Sequence, residues 1–323
     1  HSLAGSFEGG AEGVQGAMGT AFNGYQVFQQ GQAWPNTGMA PVQGNDLVGA
    51  LRFTAALADG AEATRAALLV YGESPAANVP ALNWLAKRAP EQLLADEIAW
   101  WQAWHAAVPK PPLPPAETAL LQRQLTVLKM AQCQQADDGP PGSGKAPFGQ
   151  IVASMPPGQW NITWPRDQAY AGVALASAGH VAEAKSALEF ILKGKVGQYA
   201  AQVGAPYRVS VTRYFGGGGE ESDSNEDGPN IELDGFGLVL WQAGRYVQAS
   251  SDTDFIAKWW PDLRDLVAQP LLQAIDATGL VKPDSSIWEV HWNGKQKHFT
   301  YTSLTAVRGL CAAATLATLA GQG

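Results

Sequence analysis

Apolar and polar positions change their rhythm three times along this chain. Residues 1–45 show no helical period; glycines and scattered aromatics (Phe7, Phe22, Tyr25, Phe28, Trp34) point to loops and short strands. Two apolar runs follow, Leu47 to Leu57 and Ala61 to Tyr71, separated by Ala58-Asp59-Gly60. Asp-Gly between such runs predicts a hairpin, with the second run a strand bounded by Gly72; a helix over 47–58 is the alternative. From residue 75 the period becomes helical, through Leu82, Leu85, Leu93, Leu94, Ile98, Trp101 and Trp104. The proline-rich Lys110–Pro115 cannot continue a helix and reads as a stiff connector. The expected organisation is the C-terminal part of a β-sandwich domain over 1–74, a helical and Pro-rich linker over 75–115, and a helical domain over 116–323.

That helical domain reads as helix after helix. Helices are predicted from Glu117 to Gln134, from near Asp167 to Ala178 with Gly179 as the stop, and from Val181 to Leu192. Others open at Ile231–Gly237, run from Asp254 to Ala277 with breaks at Pro261 and Pro270, and close the chain from Tyr301 to Ala320. The unusual residues lie in loops at one end of alternate helices, the layout of a helical barrel with its pocket at one mouth.

Composition narrows the chemistry. Of 323 residues 46% are hydrophobic, enough for large cores. The net charge of −8 argues against nucleic acid as a partner. Charged residues make up only 15%, while there are 12 tryptophans. A weakly charged, indole-rich surface suits sugars, although helical cores also use Trp. Cys133 and Cys311 offer neither a disulfide framework nor zinc spacing and read as small buried hydrophobes. No run of about 18 apolar residues suggests a membrane span. The first residue is His1 and no signal-like segment opens the chain, so a processed, tagged or partial chain is expected.

Three loops carry the chemistry. Trp160-Asn161-Ile162-Thr163-Trp164-Pro165-Arg166-Asp167 places an Arg-Asp pair at a helix start. Asp167 there is either a dipole-favoured N-terminal acid or, with Arg166, a donor–acceptor pair for vicinal hydroxyls. Asp223, Asn225, Asp227, Gly228 and Asp234 follow the spacing of a calcium loop; a solvated acidic loop is the other reading. In Ser285-Ser286-Ile287-Trp288-Glu289-Val290-His291-Trp292, aromatic neighbours would desolvate Glu289 and raise its pKa, as a proton donor requires. The plainer reading makes Glu289 a loop carboxylate and the tryptophans core.

Taken together and in order, Trp164-Pro165-Arg166-Asp167, Leu233-Asp234-Gly235-Phe236-Gly237, Ile287-Trp288-Glu289 and His298-Phe299-Thr300-Tyr301 resemble glycoside hydrolase family 15, the glucoamylase and glucodextranase family. The resemblance spans roughly residues 115–320, and more weakly 25–108. It implies a mainly α chain carrying an (α/α)6 barrel that hydrolyses α-linked glucose from non-reducing ends with inversion. It implies Glu289 as general acid, Arg166 and Asp167 holding hydroxyls of the terminal glucose, and Trp164 and Trp288 as pocket walls. No cofactor is implied, apart from the calcium reading of the acidic loop. Inversion needs a second carboxylate about 6.5–9.5 Å from the acid. In the family that base lies in the later half of a twelve-helix barrel, and no residue here matches it. About six barrel helices are expected, so the barrel is expected to be incomplete, its remainder supplied by a longer chain, a second chain or a copy. Trehalase, a dextran-acting transglycosylase and a non-catalytic glucan-binding or regulatory barrel are the alternatives. Polysaccharide substrates and low charge point to an extracellular or periplasmic location.

Overall fold

The computed structural model describes residues 2–7, 12–17, 47–52, 55–64, 67–72, 75–109, 111–135, 147–155, 158–287 and 294–322. The chain divides into two compact units, residues 1–100 and 101–323.

The first unit holds two antiparallel strand pairs. β1 (Ser2–Phe7) pairs with β4 (Ala67–Gly72), and β2 (Glu12–Ala17) with β3 (Leu47–Arg52). Asp59-Gly60 does form a turn, closed by Ala61 N–H on the Ala58 carbonyl, and Gly60 takes φ of 72°. The expected hairpin is nevertheless corrected: β3 and β4 each pair with an earlier strand, not with each other. Turn chemistry marks a reversal of the chain but does not choose the strand's partner. The helical period then yields α1 (Pro75–Leu85) and α2 (Pro90–Ala106). The division between the units falls inside α2, ahead of the proline stretch.

The second unit is built of helices. α3 (Pro115–Ala131) starts on Pro115, whose missing N–H is one a first turn leaves unpaired anyway. α4 (Pro165–Ser177) starts the same way on Pro165, and Gly179, at φ of 91°, lets the chain turn into α5 (Val181–Leu192). On α5, Ala184, Ala187, Leu188 and Ile191 make one fully buried stripe at the i, i+3, i+4, i+7 spacing. A short α6 (Ala200–Val203) and four two-residue strands follow: β5 (Arg213–Tyr214) pairs with β6 (Glu220–Glu221), and β7 (Ser224–Asn225) with β8 (Gly228–Pro229). Then come α7 (Asp234–Ser250) and α8 (Thr253–Leu263). α8 continues through a π turn, Arg264–Ala268, into α9 (Gln269–Gln273). The wider turn precedes Pro270, which cannot donate the next helical hydrogen bond.

α10 (Thr300–Leu319) ends the described chain. By length and composition alone it is apolar enough to cross a membrane. Core helices meet the same criterion, and α10 packs along α7 with Ala306, Ala313 and Leu316 buried. Cys311 on α10 is exposed and Cys133 half-buried, which corrects the reading of both as buried. Leu304, Val307 and Leu319 on α10 are likewise exposed, so apolar character on this helix does not report burial.

Glycines set how closely α4, α7 and α10 approach. A Cβ on Gly237 would collide with the Thr305 carbonyl, and one on Gly309 with the Gly237 carbonyl. Gly235 lies against the Pro165 ring, so the first turns of α4 and α7 meet. Gly309→Ala should therefore lower stability by about 2 kcal/mol, because overpacking outweighs alanine's better helix propensity. Gly219→Ala, where a Cβ meets nothing within 4 Å, is the control; equal urea midpoints for the two variants would refute the close-approach argument.

Candidate functional site

Local structure aims the Arg-Asp pair. Thr163 exchanges backbone hydrogen bonds with Tyr214 at 3.2 and 2.7 Å and anchors its hydroxyl on the Ile151 carbonyl at 2.7 Å. Trp164, in extended conformation, is the N-cap of α4, and Pro165 fixes its first turn. Arg166 then points across to the start of α7. Its Nη1 donates to Glu232 Oε2 and to Asp234 Oδ2, both at 2.9 Å, and its Nη2 to the Ile287 carbonyl at 3.3 Å. Both acid side chains are only 3% exposed. Asn230 Nδ2 donates to the remaining Glu232 oxygen at 3.0 Å.

A second node lies beneath. Asp284, buried, accepts from Leu233 N–H at 3.1 Å, from the Thr302 hydroxyl at 2.9 Å and from Ser286 N–H at 3.2 Å. Ser285 pairs with Ile231 through its N–H at 2.8 Å and its Oγ at 3.1 Å. Ser286 adopts φ of 65°, a left-handed conformation rare for a residue with a side chain. The segment 284–287 is thus tied to the approach to α7, to α10 and to Arg166.

One guanidinium here faces several acids. Burial by itself would lower the Arg166 pKa, but Asp234 and Glu232 overcome it and hold the guanidinium firmly charged. Glu232 is pushed up by burial and by Asp234, against the pull of Arg166. Burial pushes Asp284 up to about 6, with repulsion from Asp234 adding to it. Asp167 is exposed at the rim, yet partial desolvation, with repulsion from Asp234 adding to it, raises its pKa despite Arg166 beside it.

Arg166 and Asp167 open onto a cleft of about 570 Å³, lined also by Tyr170, Ile151, Met155 and Val127. The Tyr170 and Tyr301 hydroxyls lie 3.3 Å apart, and burial raises the Tyr301 pKa. Trp164 does not line this cleft: it is buried, edge-on to the half-exposed Trp160 and with the Arg213 guanidinium 5.2 Å from its ring centre. Glu289 and Trp288 lie outside the described residues. His298 turns away to the Val281 carbonyl (2.8 Å) and Asp276 (3.5 Å).

The acidic-loop residues are dispersed. Asp223 takes the Arg213 guanidinium at 2.6 Å, Asn225 caps Asp227 N–H at 2.8 Å, and Asp234 is committed to Arg166. Among the described residues no three His, Cys, Asp or Glu side chains converge as a metal site would require.

Sequence reasoning did not single out Glu232, Asp284, Thr302 or Tyr170. The one available signal was Glu232-x-Asp234 immediately ahead of a glycine-rich helix start. Asp284 also generates a pH dependence. Its folded pKa of about 6 exceeds the 3.8 of an unperturbed carboxyl, so the native state binds more protons between these values and stability falls as pH rises from about 4 to 6. The contribution is about 3 kcal/mol. Replacing Asp284 by Asn should remove that part of the fall in a urea-unfolding series; an unchanged slope would refute it.

Comparison with known proteins follows the same elements. The glycosyl hydrolases family 15 model matches residues 143–323, from the loop before α4 to the end of the chain. A crystal structure of a bacterial glucoamylase complexed with acarbose is similar over 99% of this chain, at 16% sequence identity and a TM-score of 0.60. The chain spans 41% of that glucoamylase's length. No curated protein matches it. The architecture is glucoamylase-like, its second unit part of an (α/α)6 barrel. With more than half of its residues matched by the family model, the chain belongs to glycosyl hydrolases family 15.

Proposed function

We propose that this protein hydrolyses α-glucosidic bonds at the non-reducing ends of glucans or gluco-oligosaccharides, with inversion. The observation that carries the reading is the state of Arg166 and Asp167 at the cleft. A guanidinium has five N–H donors. Among the described residues three of Arg166's are committed, to Glu232, Asp234 and Ile287, which leaves two, Nε–H and one on Nη2. Exposed Asp167 beside it supplies acceptors. Fixed donors next to acceptors match the alternating hydroxyls of a terminal pyranose, and the buried acids hold the guanidinium still while it binds.

Glu289 is the proposed general acid, donating to the departing glycosidic oxygen. Trp288 is its proposed neighbour in the pocket wall, and Trp164 a wall set one layer back. An aromatic setting keeps a carboxyl protonated near neutrality, which this step needs. The partner that activates water is a second carboxylate, to which no residue of this chain is assigned. Acarbose, the ligand of the similar glucoamylase, is the natural probe of binding.

Proton NMR of the purified protein with maltose, isomaltose and trehalose tests the reaction. β-Glucose should appear first, and the preferred sugar names the linkage; α-glucose first would refute inversion. Glu289→Gln should lower kcat by about 10²–10⁴-fold or more, as loss of a general acid does, with acarbose affinity retained. Unchanged turnover in that variant would sink the assignment of Glu289. Acarbose binding without turnover in the wild type would favour a glucan-binding barrel instead.

A further inference from the structure

We propose that the hydroxyl pair of Tyr170 and Tyr301 is a third sugar contact of the site: the Tyr170 hydroxyl touches the sugar held by Arg166 and Asp167, and Tyr301 is its positioning residue. This deepens the reading above and rests on it.

One face of α4 builds a wall of the cleft. Tyr170, Ala171 and Ala174 follow Asp167 at i+3, i+4 and i+7, and all four line the cleft together with Arg166. The alanines leave Tyr170 standing out from this face just beyond the Arg-Asp pair, with 47% of its surface exposed. An exposed tyrosine on a helix is ordinary; a clamped one is not. The Trp241 ring of α7 meets Tyr170 edge-on at 5.5 Å, and the Tyr301 hydroxyl of α10 lies 3.3 Å from its own. Arg308, also on α10, holds its guanidinium 5.5 Å from the Trp241 ring centre. Side chains from two other helices thus fix one half-exposed ring beside Asp167, so little side-chain freedom is left to lose when a ligand arrives.

Counting protons shows what the pair still offers. A phenol carries one O–H donor and two acceptor lone pairs. The bond between the two hydroxyls uses one of their two protons, and among the described residues neither hydroxyl has another hydrogen-bond partner. Tyr301 is half-buried and stands behind Tyr170, outside the lining of the cleft. The arrangement that uses this placement has Tyr301 donating to Tyr170, which turns its own proton to the cleft. Burial and the bond to Tyr170 hold the Tyr301 pKa well above the usual phenol range, with Asp234 on α7 adding to them against Arg166 on α4, so this donor keeps its proton. Arg166 and Asp167 at the helix start and Tyr170 one turn on, about 5.4 Å along the axis, are then three polar points on one rigid element. Two points leave a sugar free to swing about the line that joins them; a third fixes which hydroxyl faces which group.

The test titrates acarbose, maltose and maltose analogues lacking one hydroxyl of the non-reducing glucose into the full chain and into Asp167→Asn, Tyr170→Phe, Tyr301→Phe and the double Phe variant. Phenylalanine keeps each ring against its neighbours, so Tm should stay within about 5 °C of wild type. Asp167→Asn should weaken acarbose at least about ten-fold, as loss of a charged hydrogen-bond acceptor does. Tyr170→Phe should weaken acarbose and maltose about 3–10-fold, the worth of one hydrogen bond, yet bind one deoxy analogue as wild type does, because the hydroxyl that Tyr170 reads is already missing there. Tyr301→Phe should lose less, and the double variant no more than Tyr170→Phe, because Tyr301 acts only through its partner. If Asp167→Asn loses acarbose while Tyr170→Phe binds every sugar like wild type, the inference is wrong and the functional reading stands. Equal losses for all analogues, or additive losses in the double variant, would reduce the pair to packing or to separate contacts and also overturn it. If the wild type does not bind acarbose, or Asp167→Asn binds it equally well, the reading of the sugar site fails and the inference with it.

Discussion

A single guanidinium shared by two buried carboxylates holds this site together. Arg166 lies between Glu232 and Asp234, both nearly sealed from water. A buried ion pair adds little net stability over a well-packed apolar alternative, because desolvation offsets the attraction. Removing one member is different: it leaves a buried charge without its partner, at about 3–5 kcal/mol. The triad therefore acts less as glue than as a constraint. It requires the first turn of α4 and the residues opening α7 to lie side by side whenever the protein is folded.

The backbone makes this arrangement reachable. Pro165 sits at the first helical position and its ring meets Gly235, so the two helix starts approach without a side chain between them. Gly237 and Gly309 let α7 and α10 pack backbone to backbone. Through α10 this brings Thr302 under Asp284, and through Asp284 the segment 284–287 is secured against Leu233. The Leu-Asp-Gly-Phe-Gly run combines both jobs: its aspartate completes the Arg166 triad, and its glycines admit the neighbouring helices. Replacing any of these small residues would move charged groups whose positions depend on tenths of an ångström.

This arrangement leaves a specific residue of chemistry at the cleft. Arg166 is held by Glu232, Asp234 and the Ile287 carbonyl, and it lines the cleft together with the exposed Asp167 and Tyr170. Burial, with repulsion from Asp234 adding to it, also makes the neighbourhood proton-retentive, with Glu232 and Asp284 both raised. Such a setting is compatible with acid catalysis of glycosidic cleavage near neutral pH.

The sequence by itself determined where most helices lie and where the Arg-Asp pair stands. α5 falls over Val181–Leu192 as its apolar period requires, and Gly179 stops α4 as expected. These features are local: periodicity, prolines and glycines act within a few residues. It also flagged Asp234, though first as the end of a calcium loop, because spacing along the chain cannot say which way an acid points. Strand partners, the exposure of Cys311 and the roles of Glu232, Asp284 and Thr302 were decided by tertiary structure alone. Each depends on residues distant in the chain, as Arg166 with Glu232 and Asp284 with Thr302 show, or on which helix faces find a neighbour. A buried carboxylate and a solvated one are the same letter in a sequence; only packing settles which of them must find a charge or a donor to balance it.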